Sequence, residues 1–459
     1  MPDSVIGNKY NVNLKFIEKV ITEHTGVNIS NPGLKKAGSK NLSPKNFELE
    51  RSTVWSFKSR GNWATHNGNY RGNWSPYIPR NIILRYSSEG DVVLDYFCGA
   101  GTTAIECKLL NRSFKGFDIN RSAIELTEKN LEFECGASLF KPCITADVGD
   151  ARYLNIENDS IDLICAHPPY SNIINYTADN PGDLSGLEVK KFVEEMDKVA
   201  KEGFRVLKEG KYCVILIGDM RKNKNVVPLG FWVAEKFTSN GFVIEEMIIK
   251  RQHNCKTTGF WYKNSIKYNF LLLAHEYLLV FKKQKKITDK KPELGIDTYS
   301  DYSIKTIKKL INKDTALEAK TVWVFSPESW LGDAVSNLVL RYSGNNYNII
   351  NNSSLRPGKN KKYNLIISSD QKYLKEDMEN LLKALENNGI LAIICEDKRL
   401  DSGFIYSPLM EIEKSLRGHK NLKIKEIIVV ANNGDKNKDF QANDFLEINH
   451  KYILIYKKT

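Results

Sequence analysis

The sequence predicts an α/β fold in which helices cover a mostly parallel sheet, followed by a second domain built on the same plan. Two observations support this fold class. From residue 91 onward, short apolar segments typical of buried strands alternate with segments that have the apolar periodicity of helices. Several segments of the first half also recur in the same order in the second half, which predicts an internal repeat.

The alternation defines the elements of the first half. Strands separated by helices of this length need right-handed crossovers, so a mostly parallel sheet is expected. The stretch at 53–80, rich in Gly, Asn, Trp and Tyr, has neither period and is expected to be a structured loop. The predicted strands are 91–95, 114–118, 144–146, 161–166, 212–217, 242–250 and 270–281, and the predicted helices are 102–110, 121–134, 189–207 and 228–239.

The second half is a shortened copy of the first. Its segment 337–343 matches 81–87 at five of seven positions, and 445–458 matches 270–283 at seven of fourteen. The other matching pairs are 53–57 with 321–325, 161–168 with 363–370 and 208–221 with 387–399. A gap of 67 residues between Leu94 and Ile161 shrinks to 14 between Ile350 and Asn364. The second copy should therefore be unable to form the same pocket.

A charged run, KKQKKITDKKPELG at 282–295, reads as a solvated linker. The predicted organisation is an N-terminal segment (1–50), a complete domain (51–285), a linker (286–320) and a degenerate domain (321–459).

Composition limits the class of protein. The longest apolar stretch, Phe270–Phe281, is broken by His275 and Glu276 and is too short to span a bilayer, so no membrane association is expected. The N-terminus lacks the pattern of a secretory signal, which predicts a cytoplasmic protein. Eight cysteines without a Cys-x-x-Cys pair argue against a metal site and against disulfides. A net charge of +12 fits a partner that is a polyanion, although a lysine-rich proteome would explain it equally well.

The motif with the most specific chemistry is DVVLDYFCGAGTTAIECKLLNRSFKGFDIN at 91–120. A predicted strand ends in Asp95, and Gly99 and Gly101 make a turn whose backbone N–H groups can approach a ligand at a helix N-terminus. A second strand ends in Asp118, placed to accept hydrogen bonds from ribose hydroxyls. NAD could use the same geometry, but the third glycine of a dinucleotide site is missing.

With this motif the chain resembles the amino-methyltransferases of the N4-cytosine and N6-adenine DNA family, which implies a Rossmann-like class I methyltransferase fold and S-adenosylmethionine as cofactor. The second copy would then be a degenerate Rossmann-like domain formed by internal duplication. The resemblance also implies that the segment 71–87 lies beside the methionine end of the cofactor. The residues that it implies for cofactor binding are Asp95, Phe97, Cys98, Gly99, Gly101, Thr102, Asp118, Asp150 and Ala151.

A second motif, IDLICAHPPY at 161–170, combines a buried strand with two prolines and a tyrosine. Alone it could be a polyproline segment. After the cofactor motif it resembles the family's catalytic sequence, in which Asp, Asn or Ser precedes Pro-Pro-Tyr or Pro-Pro-Phe. The implied catalytic residues are His167, Pro168, Pro169 and Tyr170.

These residue types suit methyl transfer to an amine. The amino nitrogen of a base is a poor nucleophile, because its lone pair is delocalised into the ring. Acceptors for its N–H protons, here His167 and the Pro168 carbonyl, would localise that pair, and the prolines would fix them in place. Tyr170 could stack on a base that has swung out of the helix. A purely structural His167, with only the carbonyl as acceptor, is the alternative.

His167 departs from the family pattern. Only a neutral imidazole can accept a hydrogen bond, so activity is expected to fall at mildly acidic pH. Because neutral His resembles Ser more than Asp, cytosine N4 is favoured over adenine N6 as the target.

Two other cysteine signals are interpreted as incidental. Pro142-Cys143 resembles the nucleophile of cytosine C5 methylation but precedes the strand that leads to Asp150, and Cys165 lies inside a predicted core strand.

Two basic stretches are candidates for nucleic-acid contacts, with solvated loops as the alternative. Both interleave cations with aromatic residues, as phosphate contact and base stacking require. They are 250–268, with Lys250, Arg251, Lys256, Phe260, Trp261, Tyr262, Lys263 and Lys267, and 51–74, with Arg51, Lys58, Arg60 and Arg71.

The sequence thus favours a site-specific DNA methyltransferase acting on an exocyclic amine, with double-stranded DNA and a flipped base as substrate. By the family, a role in restriction-modification beside a cognate endonuclease is expected. An RNA amino-methyltransferase acting on tRNA or rRNA and a non-catalytic nucleic-acid binder remain open. The degenerate domain is expected to act as a built-in partner that packs against the first or grips DNA.

Overall fold

The structure is a computed structural model. It describes residues 41–70, 72–135, 141–170, 180, 182–253, 258–284, 304–312, 314–350, 361–369, 374, 378–432 and 445–459. Most of the expected N-terminal segment, and the linker up to residue 303, lie outside these residues. Within the described ranges, no helix is both long enough and apolar enough to cross a bilayer.

The first half forms an eight-stranded sheet. Its strands are β1 (Val54–Trp55), β2 (Val92–Asp95), β3 (Ser113–Asp118), β4 (Ile144–Val148), β5 (Ile161–Ala166), β6 (Leu207–Ile217), β9 (Phe242–Arg251) and β10 (His275–Lys283), while β7 (Met220–Lys222) and β8 (Asn225–Val227) form a separate hairpin. The order across the sheet is β1-β9-β10-β6-β5-β2-β3-β4. Only β10 runs antiparallel to its neighbours, so the expected mostly parallel sheet is confirmed.

The helices of this half are α1 (Tyr77–Tyr86), α2 (Thr102–Leu109), α3 (Arg121–Asn130), α4 (Val189–Val206), α5 (Leu229–Ser239) and α6 (Thr258–Lys267). α4 shows why the periodicity was informative: Phe192, Met196, Val199 and Gly203 recur at helical spacing and are all buried against the sheet.

The structure differs from the sequence prediction at several elements: β6 begins at Leu207, and β7, β8 and α6 were not predicted. The helix expected at 121–134 ends at Asn130, because Leu131 and Phe133 turn to pack beside Trp63 and Ile105. The expected loop at 53–80 contains β1 and the start of α1. The strand expected at 270–281 begins only at His275, because the preceding residues pair with the second half through Leu272 and Lys320.

The second half forms a six-stranded sheet. Its strands are β11 (Val322–Phe325), β12 (Tyr347–Ile350), β13 (Tyr363–Ser368), β14 (Leu385–Cys395), β17 (Leu422–Asn432) and β18 (His450–Lys458), while β15 (Lys398–Arg399) and β16 (Ile405–Tyr406) form a hairpin. The helices are α7 (Ile304–Lys309), α8 (Trp330–Tyr342), α9 (Met378–Ala384) and α10 (Pro408–Leu416).

The two sheets have the same strand order. The second runs β11-β17-β18-β14-β13-β12, which corresponds to β1-β9-β10-β6-β5-β2 of the first. In the part of the chain that the structure describes, the second sheet ends at β12, and the counterparts of β3 and β4 are absent. The duplication predicted from the sequence is thus visible in the topology, and the deletion removes the strand whose counterpart carries Asp118.

The duplication extends to side-chain hydrogen bonds. In α1, Asn81 Oδ1 accepts the backbone N–H of Glu50 at 2.8 Å, and in α8, Asn337 Oδ1 accepts that of Glu318 at 2.8 Å. Conserving such a bond needs the same helix in the same place, so the two copies share local geometry as well as strand order.

Contacts between the two halves occur in reciprocal pairs. Arg221 in β7 donates to Glu426 of β17 at 2.6 Å, and Arg399 in β15 donates to Glu246 of β9 at 2.6 Å. The register of each sheet makes Arg221 equivalent to Arg399 and Glu246 equivalent to Glu426. Reciprocal contacts between equivalent residues are what a two-fold axis produces.

A buried threonine–histidine contact repeats the same symmetry. Thr53 Oγ1 lies 2.7 Å from Nδ1 of His450, and Thr321 Oγ1 lies 2.9 Å from Nδ1 of His275. One apolar cluster also contains residues of both sheets, including Tyr277 and Tyr452. The second domain therefore packs against the first over a buried, pseudo-symmetric face.

Candidate active site

One cleft opens at the carboxyl ends of β2, β3, β4 and β5, where open α/β sheets bind their ligands. It encloses about 750 Å³, including its open mouth. The residues lining it are Tyr70, Gly72, Asn73, Trp74, Asp95, Tyr96, Phe97, Cys98, Gly99, Asp118, Ile119, Gly149, Asp150, Ala151, His167, Pro169, Gly182, Asp183 and Leu184.

The turn after β2 exposes backbone atoms to this cleft, because Gly99 has no side chain to cover them. Asp95 Oδ1 accepts the backbone N–H of Phe97 at 3.0 Å and so closes the turn. Gly99 and Gly101 have φ angles of 51° and 79°, a left-handed conformation that residues with a Cβ rarely adopt. Gly101 does not line the cleft; instead it caps α2, and a Cβ there would lie 2.8 Å from Cγ2 of Thr127.

Two acids face the turn, the buried Asp95 and the half-buried Asp118. Asp118, at the end of β3, accepts the backbone N–H of Gly99 at 3.0 Å and that of Asn120 at 2.9 Å. Burial raises the pKa of Asp118. Burial also raises the pKa of Asp95 to about 7, although hydrogen bonds from Thr103 and the turn oppose this shift. A cationic ligand beside either carboxylate would therefore stabilise its ionised form.

The remaining residues expected at the cofactor have distinct environments. Burial raises the pKa of Cys98 well above its usual value, so its thiol is neutral. Thr102 is buried outside the cleft lining and donates to Oδ1 of Asn73 at 2.7 Å, which ties α2 to the segment after Gly72. Asp150 lines the cleft beside Ala151, and Arg152 holds both of its carboxylate oxygens.

The catalytic loop enters the same cleft. β5 ends at Ala166, and the next residue, His167, lines the cleft together with Pro169. Pro168 is buried, and the hydroxyl oxygen of Tyr170 lies 3.0 Å from Nε2 of His167. Of the four expected catalytic residues, His167 and Pro169 therefore line the cleft, whereas Pro168 is buried. Tyr170 contacts His167 and does not line the cleft, so its expected place as a stacking surface for a base is not seen in this structure.

His167 is held as a neutral imidazole. The indole of Trp74 stacks on its ring, with centroids 5.5 Å apart and planes 22° from parallel. Burial lowers the pKa of His167 to about 4, with Lys250 and Arg60 adding to the shift and Glu276 opposing it. The sequence predicted that activity would fall at mildly acidic pH, and the structure corrects this prediction. With its pKa at about 4, the ring becomes protonated only at a more acidic pH.

Several residues of the site were missed from the sequence. Tyr70, Ile119, Gly182, Asp183 and Leu184 line the cleft from loops without a distinctive pattern. Glu276 did leave a signal, because it interrupts the longest apolar stretch of the chain and is buried beside Tyr170.

Two expected nucleic-acid contacts turn inward instead. Lys250 donates to Glu276 at 2.6 Å, and Arg60 donates to the carbonyl oxygens of Asn73 and Trp74 at 2.6 and 2.7 Å. On α6 the exposed residues are Trp261, Lys263, Ile266 and Lys267. Lys256, Arg71 and the side chain of Phe260 lie outside the described residues.

The cysteines interpreted as incidental do not line the cleft. Cys143 immediately precedes β4, at the amino end of the strand, whereas the cleft lies at the carboxyl end. Cys165 is fully buried within β5, and burial raises the pKa of its thiol well above the usual value.

The donor set of the cleft fits S-adenosylmethionine. Asp95 offers a carboxylate for the cationic amino-acid end, and the glycine turn offers close approach to backbone. Asp118 offers acceptor oxygens for ribose hydroxyls, and Ile119 and Leu184 offer apolar surface for a purine.

Comparisons with known proteins agree with this geometry. The family model described as DNA methylase, for N6 and N4 methyltransferases, matches residues 8–129 and 161–364, more than half of the chain. A model described as RNA cap guanine-N2 methyltransferase matches residues 90–229.

Individual relatives match shorter parts. The Type II methyltransferase M.HpaI of Haemophilus parainfluenzae is 34% identical over 130 residues, which are 28% of this chain and 38% of that protein. The tRNA (guanine(10)-N2)-dimethyltransferase of Methanothermobacter thermautotrophicus is 30% identical over 135 residues, 29% of this chain and 37% of that protein. The chain thus spans less than two fifths of the length of either relative. A SAM-dependent methyltransferase structure from Methanosarcina mazei aligns over 45% of this chain and 98% of its own, with 18% identity and a TM-score of 0.32.

The family match covers both the glycine turn and the His-Pro-Pro-Tyr loop, the two sequences that meet in the cleft. S-adenosylmethionine is accordingly the cofactor. The chain belongs to the DNA methylase family of N6 and N4 amino-methyltransferases.

Proposed function

We propose that the protein methylates an exocyclic amino nitrogen of a base in double-stranded DNA, at cytosine N4 in preference to adenine N6, within a restriction-modification system. One observation carries the proposal: His167 and Pro169 line the same cleft as Asp95, Gly99 and Asp118. A methyl donor held by the glycine turn would therefore face the residues that activate the acceptor.

The chain's own residues would supply positioning and electrostatics. S-adenosylmethionine supplies an electrophilic methyl group on its sulfonium. Asp95, the glycine turn, Asp118 and the Asp150-Ala151 pair would hold it. His167 and the Pro168 carbonyl would accept the N–H protons of the base and so localise the nitrogen lone pair. Trp74, stacked on His167, keeps that ring in place.

The proposed preference for cytosine follows from the charge of the residue that accepts the N–H proton. In the family that this chain resembles, Ser before Pro-Pro-Tyr usually goes with cytosine and Asp with adenine. His167 is uncharged, like Ser, because burial lowers its pKa to about 4.

Extrusion of the base is proposed because the cleft is walled by the sheet, by Tyr70 and by residues 72–74, and a base within a duplex could not reach His167. Exposed Trp261, Lys263 and Lys267 on α6 are the proposed contacts to the DNA backbone. A cognate endonuclease is the partner that this role implies.

Methyl transfer from labelled S-adenosylmethionine to host genomic DNA tests the proposal, with sequencing that distinguishes N4-methylcytosine from N6-methyladenine. The double variant P168A/Y170A should lose at least about a hundredfold in rate. C143S, at the amino end of β4 and outside the cleft lining, is the control and should retain full activity. Labelled adenine alone would overturn the base preference. Absence of transfer to any polynucleotide would favour a non-catalytic binder.

A tRNA or rRNA amine is the second candidate, because a guanine-N2 methyltransferase model matches residues 90–229 and a tRNA dimethyltransferase is among the relatives. Direct competition between duplex DNA and tRNA for labelled methyl, at equal concentration of target bases, separates the two. Preferential labelling of tRNA would replace the proposed substrate.

A further inference from the structure

A chain of polar contacts runs from the sheet to the catalytic histidine. Lys250 Nζ donates to Oε2 of Glu276 at 2.6 Å. The other carboxylate oxygen, Oε1, accepts the hydroxyl of Tyr170 at 2.7 Å. The oxygen of that hydroxyl lies 3.0 Å from Nε2 of His167. Lys250 and Glu276 are direct cross-strand partners on β9 and β10, so this chain of contacts is anchored in the sheet.

The direction of each hydrogen bond follows from proton counting. Glu276 is ionised beside Lys250: burial raises its pKa, but the charge and hydrogen bond of Lys250 and the hydrogen bond from Tyr170 oppose burial, and the pKa falls to about 2. A carboxylate has no proton to donate, so Tyr170 must donate to it. A hydroxyl has one hydrogen, so its oxygen can only accept from His167. Nε2 of His167 therefore carries the proton.

The consequence lies on the other side of the ring. A neutral imidazole protonated on Nε2 has its lone pair on Nδ1. Among the residues that the structure describes, no hydrogen-bond partner is seen for Nδ1. The groups that face His167 are Trp74 across its ring, Tyr170 at Nε2, and the charges of Glu276, Lys250 and Arg60.

The contact between Tyr170 and Glu276 depends on close packing against Gly218. A Cβ on Gly218, which directly follows β6, would lie 3.1 Å from Cε2 of Tyr170 and 3.2 Å from Cγ of Glu276. Any larger residue would thus crowd both side chains at the point where they meet.

The degenerate copy provides an internal comparison. His275 and Tyr277 on β10 correspond to His450 and Tyr452 on β18, and both pairs keep the same contact between ring nitrogen and hydroxyl. Glu276, between them, is replaced by Lys451. Its cross-strand partner Lys250 is replaced by Val430. The pair that contacts the catalytic loop through Tyr170 is lost where the cleft is lost, whereas the pair that contacts the other domain is retained.

We infer that Glu276 and Lys250 are positioning residues for methyl transfer, which act through Tyr170 to hold His167 in the tautomer with an unprotonated Nδ1 available to the amine of the base. This inference rests on the proposed function. The opposite tautomer would present an N–H group to the amine and could not accept its proton.

The test is ¹⁵N NMR of histidine side chains in the full-length protein, combined with steady-state kinetics. The wild type should show the Nε2-protonated tautomer at the resonance that disappears in H167N. In E276Q the new amide can donate to Tyr170, which no longer forces that hydroxyl to accept from His167. We expect a mixed or Nδ1-protonated ring, kcat at least about tenfold lower, and an unchanged KM for S-adenosylmethionine.

Further variants separate positioning from general damage. K250M should move both readouts in the same direction, and K250R should restore them. The matched control is E245Q, the same substitution at a buried glutamate of β9 that contacts Tyr212 and Lys282 instead of the site; it should move neither.

The possible failures are distinguishable, because the tautomer is measured without nucleic acid. If the wild-type ring carries its proton on Nδ1, or if E276Q changes neither tautomer nor kcat, the inference is wrong even though methyl transfer occurs. If the tautomer responds as expected but no polynucleotide is methylated, the proposed function is wrong and the positioning network stands.

Discussion

His167 stands where the family pattern has Asp, Asn or Ser before Pro-Pro-Tyr, and its environment determines the pH range in which it can accept a hydrogen bond. The ring accepts a hydrogen bond only while it is neutral, and burial lowers its pKa from the ordinary 6.5 to about 4. A histidine in water would be half protonated at pH 6.5, whereas this one remains an acceptor throughout the neutral and mildly acidic range.

This environment predicts the pH dependence of kcat. At saturating S-adenosylmethionine, kcat should be constant from pH 8 to about 5.5 and fall below about pH 5, as the ring approaches its pKa of about 4. H167N, which cannot titrate, should be slower but should lack this acidic limb. Near-ultraviolet circular dichroism at each pH checks that the fold persists. A half-maximal kcat near pH 6.5 would show that the ring is not desolvated as described.

Asp95 titrates in the opposite sense and should affect cofactor binding. Its folded pKa is about 7, so below pH 7 a proton must leave before the carboxylate can face a cation. The affinity for S-adenosylmethionine should therefore rise by up to about tenfold per pH unit up to pH 7 and then level off. Calorimetry in buffers of different ionisation enthalpy should detect the released proton.

The control for this titration is at the other end of the same strand. D95N should abolish the pH dependence of the affinity, whereas D91N, at the start of β2 beside Lys211, should retain it. An unchanged slope in D95N would assign the titration to another group, with Asp118 as the next to test because burial also raises its pKa.

At the scale of elements, the sequence predicted what local patterns encode. The sequence predicted the bounds of five elements within a few residues: β2, β5, α2, α4 and α5. In these elements the burial of one face requires apolar residues at a fixed spacing, and that spacing is visible in the sequence. α1 was missed because the stretch at 53–80, rich in Gly, Asn, Trp and Tyr and without a helical period, was interpreted as a loop. Pro76 precedes α1 and Pro79 lies in its first turn, where a missing N–H costs nothing.

The site was predictable to the extent that its residues are close in sequence. The glycine turn and the His-Pro-Pro-Tyr loop each form a motif, and both reach the cleft. Trp74 on the face of His167, Arg60 behind Trp74 and Glu276 beyond Tyr170 come from distant segments. Their roles depend on tertiary packing that no local pattern contains.

The glycine turn gives a prediction at this scale. G101A should lower the free energy of unfolding by at least about 1 kcal/mol more than G90A. Both glycines have a left-handed φ, but a Cβ at Gly101 overlaps Thr127, whereas nothing lies within 4 Å of one at Gly90. Thr127 cannot rotate away without losing its bond to the carbonyl of Gly99 at 2.8 Å.

Urea denaturation of both variants measures the difference, and titration with S-adenosylmethionine should show weaker binding for G101A only. Equal unfolding free energies would mean that Thr127 yields without cost and that the turn tolerates a side chain.

At the scale of the whole molecule, the chain is a fused pseudo-dimer in which both copies contribute equivalent residues to the interface and the first copy carries the cleft. Repeated segments in the sequence predicted the duplication and the deletion. They did not predict the reciprocal ion pairs, because Arg221 and Glu426 are 205 residues apart and Arg399 and Glu246 are 153 apart. The second copy retains the counterparts of interface residues because losing one would leave its partner buried and unpaired.

This symmetry predicts equal effects on stability at the two ends of the interface. R221A leaves Glu426 fully buried without its cation, and R399A does the same to Glu246; each should lower the free energy of unfolding by about 3 kcal/mol in urea denaturation. R221A/E426Q should recover part of that loss, since a neutral amide costs less to bury.

The control is K222A, which removes a lysine next to Arg221 that forms an exposed pair with Glu188. It should lower the free energy of unfolding by less than about 0.5 kcal/mol. A large loss from one arginine and none from the other would show that the two contacts are not equivalent, and that the second domain is attached by one side only.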